Sequence, residues 1–171
     1  MATQLPPKRV DAQTRPATVA LVAALEDAVQ EIIGAVAACE HPELVRVDDW
    51  TVKDTLGHIA FWHESFARNV AAMTEGRAPD VLAGSYPDLN QRGLEMSRGQ
   101  SAAEISERIL TAQRLIRRRI LKLPADAKIP YRIGSRDYAP DEHLAMVRGH
   151  ILAHLHRIER ARRRRYNPSG S

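Results

Sequence analysis

Apolar residues recur at helical intervals in four stretches of this chain. Val19, Val22, Leu25, Val29, Ile32, Ile33 and Val36 stand three and four apart, the spacing that puts side chains on one face of an α-helix. They predict a first helix from about Pro16 to Cys39, opened by a proline suited to a first turn and stopped at His41-Pro42, because the residue before proline avoids helical geometry. A capping box, Thr51-Val52-Lys53-Asp54, opens a second helix, with aspartate in place of the usual glutamate. Its stripe is Val52, Leu56, Ile59, Phe66 and Val70, it runs to Met73 or Thr74, and Gly76 ends it. A link through Pro79, Gly84 and Pro87 leads to a short helical piece from about Asp88 to Ser97. Ser101-Ala102-Ala103-Glu104 is a second capping box, starting a third long helix to about Leu121 with Ile105, Ile109, Ala112, Ile116 and Ile120 as its stripe. Between Pro124 and Ala139, Ile129 to Ile133 reads as a short strand-like excursion. Pro140-Asp141-Glu142 starts the fourth long helix, which reaches about Arg164 with Leu144, Val147, Ile151, Leu155 and Ile158 facing inward.

Four amphipathic helices with little strand signal predict an all-α protein, a four-helix bundle. The longer links after helices two and three are expected to fold over one end. The bundle domain spans residues 16–165, between an arm at 1–15 and a tail at 166–171 that are both expected to be disordered.

Composition narrows the class without naming a chemistry. At 171 residues the chain can bury a real core, and 44% hydrophobic with 27% charged residues is ordinary for a soluble domain. No apolar run approaches the roughly 20 residues of a membrane span, and the polar start lacks a signal-peptide segment, so a cytoplasmic location without a membrane partner is expected. Cys39 is the single cysteine, which excludes an intrachain disulfide and suits a small buried thiol. The net charge of +4 is local: Arg157 to Arg165 hold six arginines against one glutamate, so the rest sums to about −1. Such a run more often solvates a helix C-terminus, where cations suit the helix dipole, than binds phosphates. A nucleic acid is therefore not the expected partner.

The histidines carry the candidate chemistry. His150 and His154 lie one helical turn apart on one face, where two imidazoles can grip one divalent ion. A third from a neighbouring helix would leave coordination positions open, as a catalytic site requires. At roughly 100° per residue, His63 lies within the inward stripe of the second helix, whereas His58 lies roughly 110° from its centre, beside Trp62. In the fourth helix His154 falls within about 60° of the stripe and His150 at about 100°, with His143 on the same edge. His156 faces away and His41 is in a loop. Spacing alone does not decide between a metal site and hydrogen-bonded structural histidines.

Two motifs go further. Trp50-Thr51-Val52-Lys53-Asp54-Thr55-Leu56-Gly57-His58 resembles the second-helix signature of the DinB/YfiT-like superfamily, in which histidine follows tryptophan by eight positions. His150-Ile151-Leu152-Ala153-His154 resembles the H-x-x-x-H of its final helix, and His63 also has a counterpart in YfiT-like members. The group includes the mycothiol-dependent maleylpyruvate isomerases and the ClbS/DfsB proteins, and the likeness in architecture covers about Val19 to Ile158. The resemblance implies a four-helix bundle holding a divalent metal, zinc or nickel, through His58, His150 and His154. Trp62, His63 and Tyr138 are the candidate substrate-binding residues, and the resemblance implies a homodimer. The expected function is a metal-dependent hydrolase, or a transferase using a low-molecular-weight thiol cosubstrate, acting on a small molecule. The alternative is a ClbS-like protective binding bundle without metal.

Overall fold

The computed structural model describes residues 15–166, and three of its helices begin at a serine or threonine whose side chain accepts from a free backbone amide. Helix α1 is Pro16–Ala37, α2 Val52–Thr74, α3 Tyr86–Ser97, α4 Ala102–Arg119 and α5 Pro140–Tyr166. Both capping boxes form: the Asp54 amide donates to Thr51 Oγ1 at 3.0 Å while Asp54 accepts from the Thr51 amide, and Ser101 with Glu104 does the same. Ser85 caps α3, so that helix starts at Tyr86, two residues before the expected Asp88. A 3-10 turn, Ile120–Lys122, finishes α4.

The arm and tail expected at the ends lie outside the described residues, except Arg15 and Tyr166. Arg15 is fixed: it donates to the Leu123 carbonyl at 2.8 Å and pairs with Asp141 at 3.4 Å. Tyr166 closes α5.

Contacts at the helix ends give the topology. Arg15 meets Asp141 at the start of α5, and Arg162 donates to the Ala38 carbonyl at 3.0 Å, so α1 and α5 run parallel. Lys53 donates to the Gln100 carbonyl at 2.8 Å, and Arg119 pairs with Glu75 at 3.1 Å, so α2 and α4 run parallel too. Arg157 approaches Asp48, just ahead of α2, at 3.9 Å, which sets the two pairs antiparallel. The long helices therefore run up, down, down, up. A down-to-down step needs a crossover along the bundle, and the link carrying α3 supplies it.

The core is filled from all four long helices by Leu25, Val29 and Ile32, by Leu56, Ile59, Phe66 and Val70, by Ile105, Ile109 and Ile116, and by Leu144, Ile151 and Ile158. Each fully buried side chain of this kind contributes roughly 1.5–3 kcal/mol relative to exposure. Cys39 is buried and free.

Helix α2 is packed on more than one side, because α3 lies across it. Its Gly57 faces Ser97, and Gly93 of α3 faces Phe61; a Cβ on Gly93 would sit 2.9 Å from Phe61 Cβ. Glu64 is clamped by Arg108 of α4 through contacts of 2.8 and 2.7 Å, while the same guanidinium reaches Ser97 Oγ at 3.1 Å.

Two small pieces of extended backbone complete the fold. β1 (Arg46–Val47) and β2 (Trp50–Thr51) form an antiparallel hairpin absent from the sequence reading. Its turn residue Asp48 takes φ 54°, a left-handed conformation that aspartate tolerates better than most residues. The two long links also join each other: the Leu82 amide donates to the Tyr131 carbonyl at 3.0 Å and the Ile133 amide to the Leu82 carbonyl at 2.9 Å. Buried Asn69 of α2 holds both links, donating to the Pro130 carbonyl and accepting from the Asp80 amide.

The α2–α3 approach makes opposite predictions for two glycines. Alanine is the better helix former by about 0.8–1.0 kcal/mol, so Gly34→Ala, with open space around it, should stabilise. Gly93→Ala should destabilise by about 1–3 kcal/mol through overpacking against Phe61. Urea unfolding of both variants checks the pair, and a stabilising Gly93→Ala would contradict the close packing.

Candidate metal centre

The three histidines of the motifs meet. Capped at Thr51, α2 presents His58 in its second turn, and α5 presents His150 and His154 one turn apart. His58 Nε2 lies 2.9 Å from His150 Nε2, and His154 Nε2 lies 3.1 Å from the same atom. One ligand nitrogen from each of the three falls within 4.8 Å of the others. His58 and His154 are buried and His150 is half-buried. Trp50 of the hairpin covers His58, with ring centres 4.9 Å apart.

The expected flank position of His58 is corrected by this geometry. The stripe argument assumes one buried face, but α2 is enclosed by α3, the hairpin and the other long helices, so a residue far from the stripe is also only 5% exposed. His63, in the stripe, is buried too, with its Nε2 3.0 Å from Gln113 Oε1.

An imidazole nitrogen offers one lone pair or one proton. His150 Nε2 therefore makes one good hydrogen bond, not the two that its neighbours invite. A cation that takes a lone pair from each ring satisfies all three at once. Two nitrogens bound at ~2.0–2.1 Å to one ion are about 2.8–3.4 Å apart for bond angles of roughly 90–110°, which covers the 2.9 and 3.1 Å separations to His150 Nε2. The donor set thus fits a divalent ion of the imidazole-preferring kind.

Electrostatics hold the rings neutral and ready to coordinate. Burial, followed by the charges that His150 and His154 would carry, pushes His58 down to about 3. Burial, then His150 and Arg157, pushes His154 to about 3. His150 is lowered by burial and then by Arg157. His58 Nδ1 is buried without a partner, whereas metal-bound histidines usually donate that nitrogen's proton to a carboxylate or carbonyl.

The histidines open on a cavity of about 490 Å³. Its walls include Trp62, His63, Phe66, Tyr86, Tyr131 and Met146, and Arg157 stands at one side; among the described residues no aspartate or glutamate lines it. Trp62 Nε1 donates to Asn90 Oδ1 at 3.0 Å, fixing the indole against α3. The Tyr86 and Tyr131 hydroxyls share a hydrogen bond of 2.7 Å, and the Arg132 guanidinium lies 4.3 Å from the Tyr86 ring centre. Tyr138 is not among the lining residues. It stands behind Tyr131 and beside His143, with Arg136 over its ring at 4.1 Å. The short extended segment brings Tyr131 forward in its place, and sequence spacing carried no sign of that choice. Asn90, Tyr86 and Arg157 were also missed, Arg157 because it is the first member of a charge run.

His143 stacks on Phe66 at 4.0 Å and is 2% exposed; burial lowers it to about 4 from an ordinary 6.5. A folded value below the unfolded one means that the unfolded chain takes the proton first. The stabilisation is complete above about pH 6.5 and is lost as pH falls through about 4. Going from pH 7 to 4.5, His143→Phe, which cannot titrate, should lose about 2–3 kcal/mol less stability than wild type. Parallel losses in urea unfolding at the two pH values would contradict a neutral buried His143.

Comparison with known proteins adds one finding. The family model for the mycothiol maleylpyruvate isomerase N-terminal domain matches residues 22–150. That span includes His58 and ends at His150, four residues before His154. No curated protein and no solved structure matches the chain.

Proposed function

This chain belongs to the family of mycothiol maleylpyruvate isomerase N-terminal domains, within the DinB/YfiT-like superfamily, and from that premise we propose that it is a divalent-metal-dependent enzyme using a low-molecular-weight thiol on a small molecule. The ion, zinc or nickel, would be held by His58, His150 and His154. The single observation that carries this reading is the convergence of three Nε2 atoms at the wall of a cavity that no carboxylate lines among the described residues. When bound, a divalent cation supplies a Lewis acid that brings the pKa of a thiol or water toward neutrality.

The lack of carboxylates among the described lining residues favours the thiol over hydrolysis. Attack by water releases a proton that a general base must take; the Glu that does this in H-E-x-x-H metalloproteases has no counterpart among the described lining residues, and His63 Nε2 is engaged by Gln113. A thiol starts near pKa 8.5 and needs far less help to ionise at neutral pH. Three neutral imidazoles leave the positive charge of a divalent ion uncancelled, which suits an anionic sulfur.

The chain's own residues then bind, orient and exclude water. Trp62, with Tyr86 and Tyr131, forms an aromatic wall for the carbon skeleton of a substrate. His63, fixed by Gln113, presents a neutral imidazole to the cavity, and Arg157 receives a negatively charged end. Tyr138 serves by backing Tyr131 rather than by touching the substrate. A cytoplasmic homodimer is part of this proposal; among the described residues, no helix is long and apolar enough to cross a membrane.

Elemental analysis of protein purified without a histidine tag tests the assignment. The wild type should carry one divalent ion per chain, while His58→Ala, His150→Ala and His154→Ala should each lose at least nine-tenths of it with helical circular dichroism retained. Cobalt-loaded wild type should gain a sulfur-to-metal charge-transfer band on adding a thiol. Unchanged metal in His150→Ala would reject the site, and metal binding without the band would reject the thiol.

A further inference from the structure

The arginine run at the end of α5 is divided between two faces. Arg157, Arg160 and Arg164 follow i, i+3, i+7 spacing and share one side of the helix, with small Ala161 between them and Arg165 alongside. They line a groove of about 310 Å³ whose other wall is the β1–β2 hairpin, contributing Arg46 and Asp48. Arg162 and Arg163 are engaged elsewhere: Arg162 donates to the Ala38 carbonyl at 3.0 Å, and Arg163 meets Glu159 at 3.6 Å.

The groove holds far more positive than negative charge. Among the described residues five guanidinium groups face one carboxylate, and the one ion pair among them is Arg157 with Asp48 at 3.9 Å. Arg46 donates to the Asp49 backbone carbonyl at 2.7 Å, which leaves its charge uncancelled. Among the described residues Arg160, Arg164 and Arg165 form no ion pair. The helix dipole accounts for cations in the last turn only. Arg157 and Arg160 stand further back, where like charges three apart weaken the helix. Arg157 also lines the histidine cavity, so the two concavities share a wall.

We propose that this groove binds the phosphate or carboxylate groups of a polyanionic small molecule, whose other end passes Arg157 into the histidine cavity. Anion binding stands by itself; that the anion belongs to the molecule used at the histidines rests on the proposed metal-dependent function. The shape favours a small molecule over nucleic acid. A duplex offers phosphates in long rows to an extended basic surface, whereas this groove is short and walled, and the chain outside 157–165 sums to about −1.

Calorimetric titration of the full chain with inorganic pyrophosphate at low salt tests the proposal. Wild type and His150→Ala should both bind one pyrophosphate saturably, the latter without its metal. The double variant Arg160→Ala/Arg164→Ala should bind at least tenfold more weakly with metal content unchanged; both residues are exposed, so the helix should survive. Absence of saturable binding, or equal affinity in the double variant, would overturn the groove. Displacement of pyrophosphate by duplex DNA with affinity rising with duplex length would overturn it in favour of a nucleic-acid surface. Retained metal in His150→Ala would instead defeat the metal reading and leave the groove standing.

Discussion

Three imidazole nitrogens within 4.8 Å of one another, two of them about 3 Å from the third, are an unfavourable arrangement where little water reaches unless something shared lies between them. His58 is held this way by α2 and His150 and His154 by α5, helices far apart in sequence. Burial removes the option of relieving the crowding by protonation, because a charged ring there would be poorly solvated and beside Arg157. The surrounding fold acts to maintain that convergence. The capping box fixes where α2 starts, the hairpin lays Trp50 on His58, and the parallel pairing of α1 with α5 sets the height of His150 against α2.

The second constraint is the crossover between two helices that run the same way. It forces a long link, and that link becomes α3, which closes on α2 through Gly57 and Gly93. The same link pairs with the one before α5, and Asn69 ties both to the bundle. Tyr86, Asn90 and Tyr131 thereby reach the cavity. The topology of the bundle and the aromatic wall of the site have one origin.

Much of this was legible in the sequence, for definable reasons. Capping boxes at Thr51 and Ser101 are local hydrogen-bond patterns, and both helices start where they say. The apolar stripes identified the core because each long helix does bury one. The histidine set was visible through the Trp50-to-His58 and His150-to-His154 motifs and not through periodicity, which placed His58 on a flank. A single-stripe argument fails for a helix enclosed on several sides. The choice of Tyr131 over Tyr138 depends on pairing between two distant links, and the two-residue hairpin is too short to leave a pattern. The arginine run read as one charged end because composition does not show which members share a helical face with Arg46.

X-ray absorption at the metal edge of the zinc-loaded protein reports the atoms around the ion whatever the substrate. Coordination by His58, His150 and His154 predicts three nitrogen neighbours at about 2.0–2.1 Å with the outer scattering of imidazole rings. A first shell of oxygen alone, or one containing the sulfur of Cys39, would contradict it.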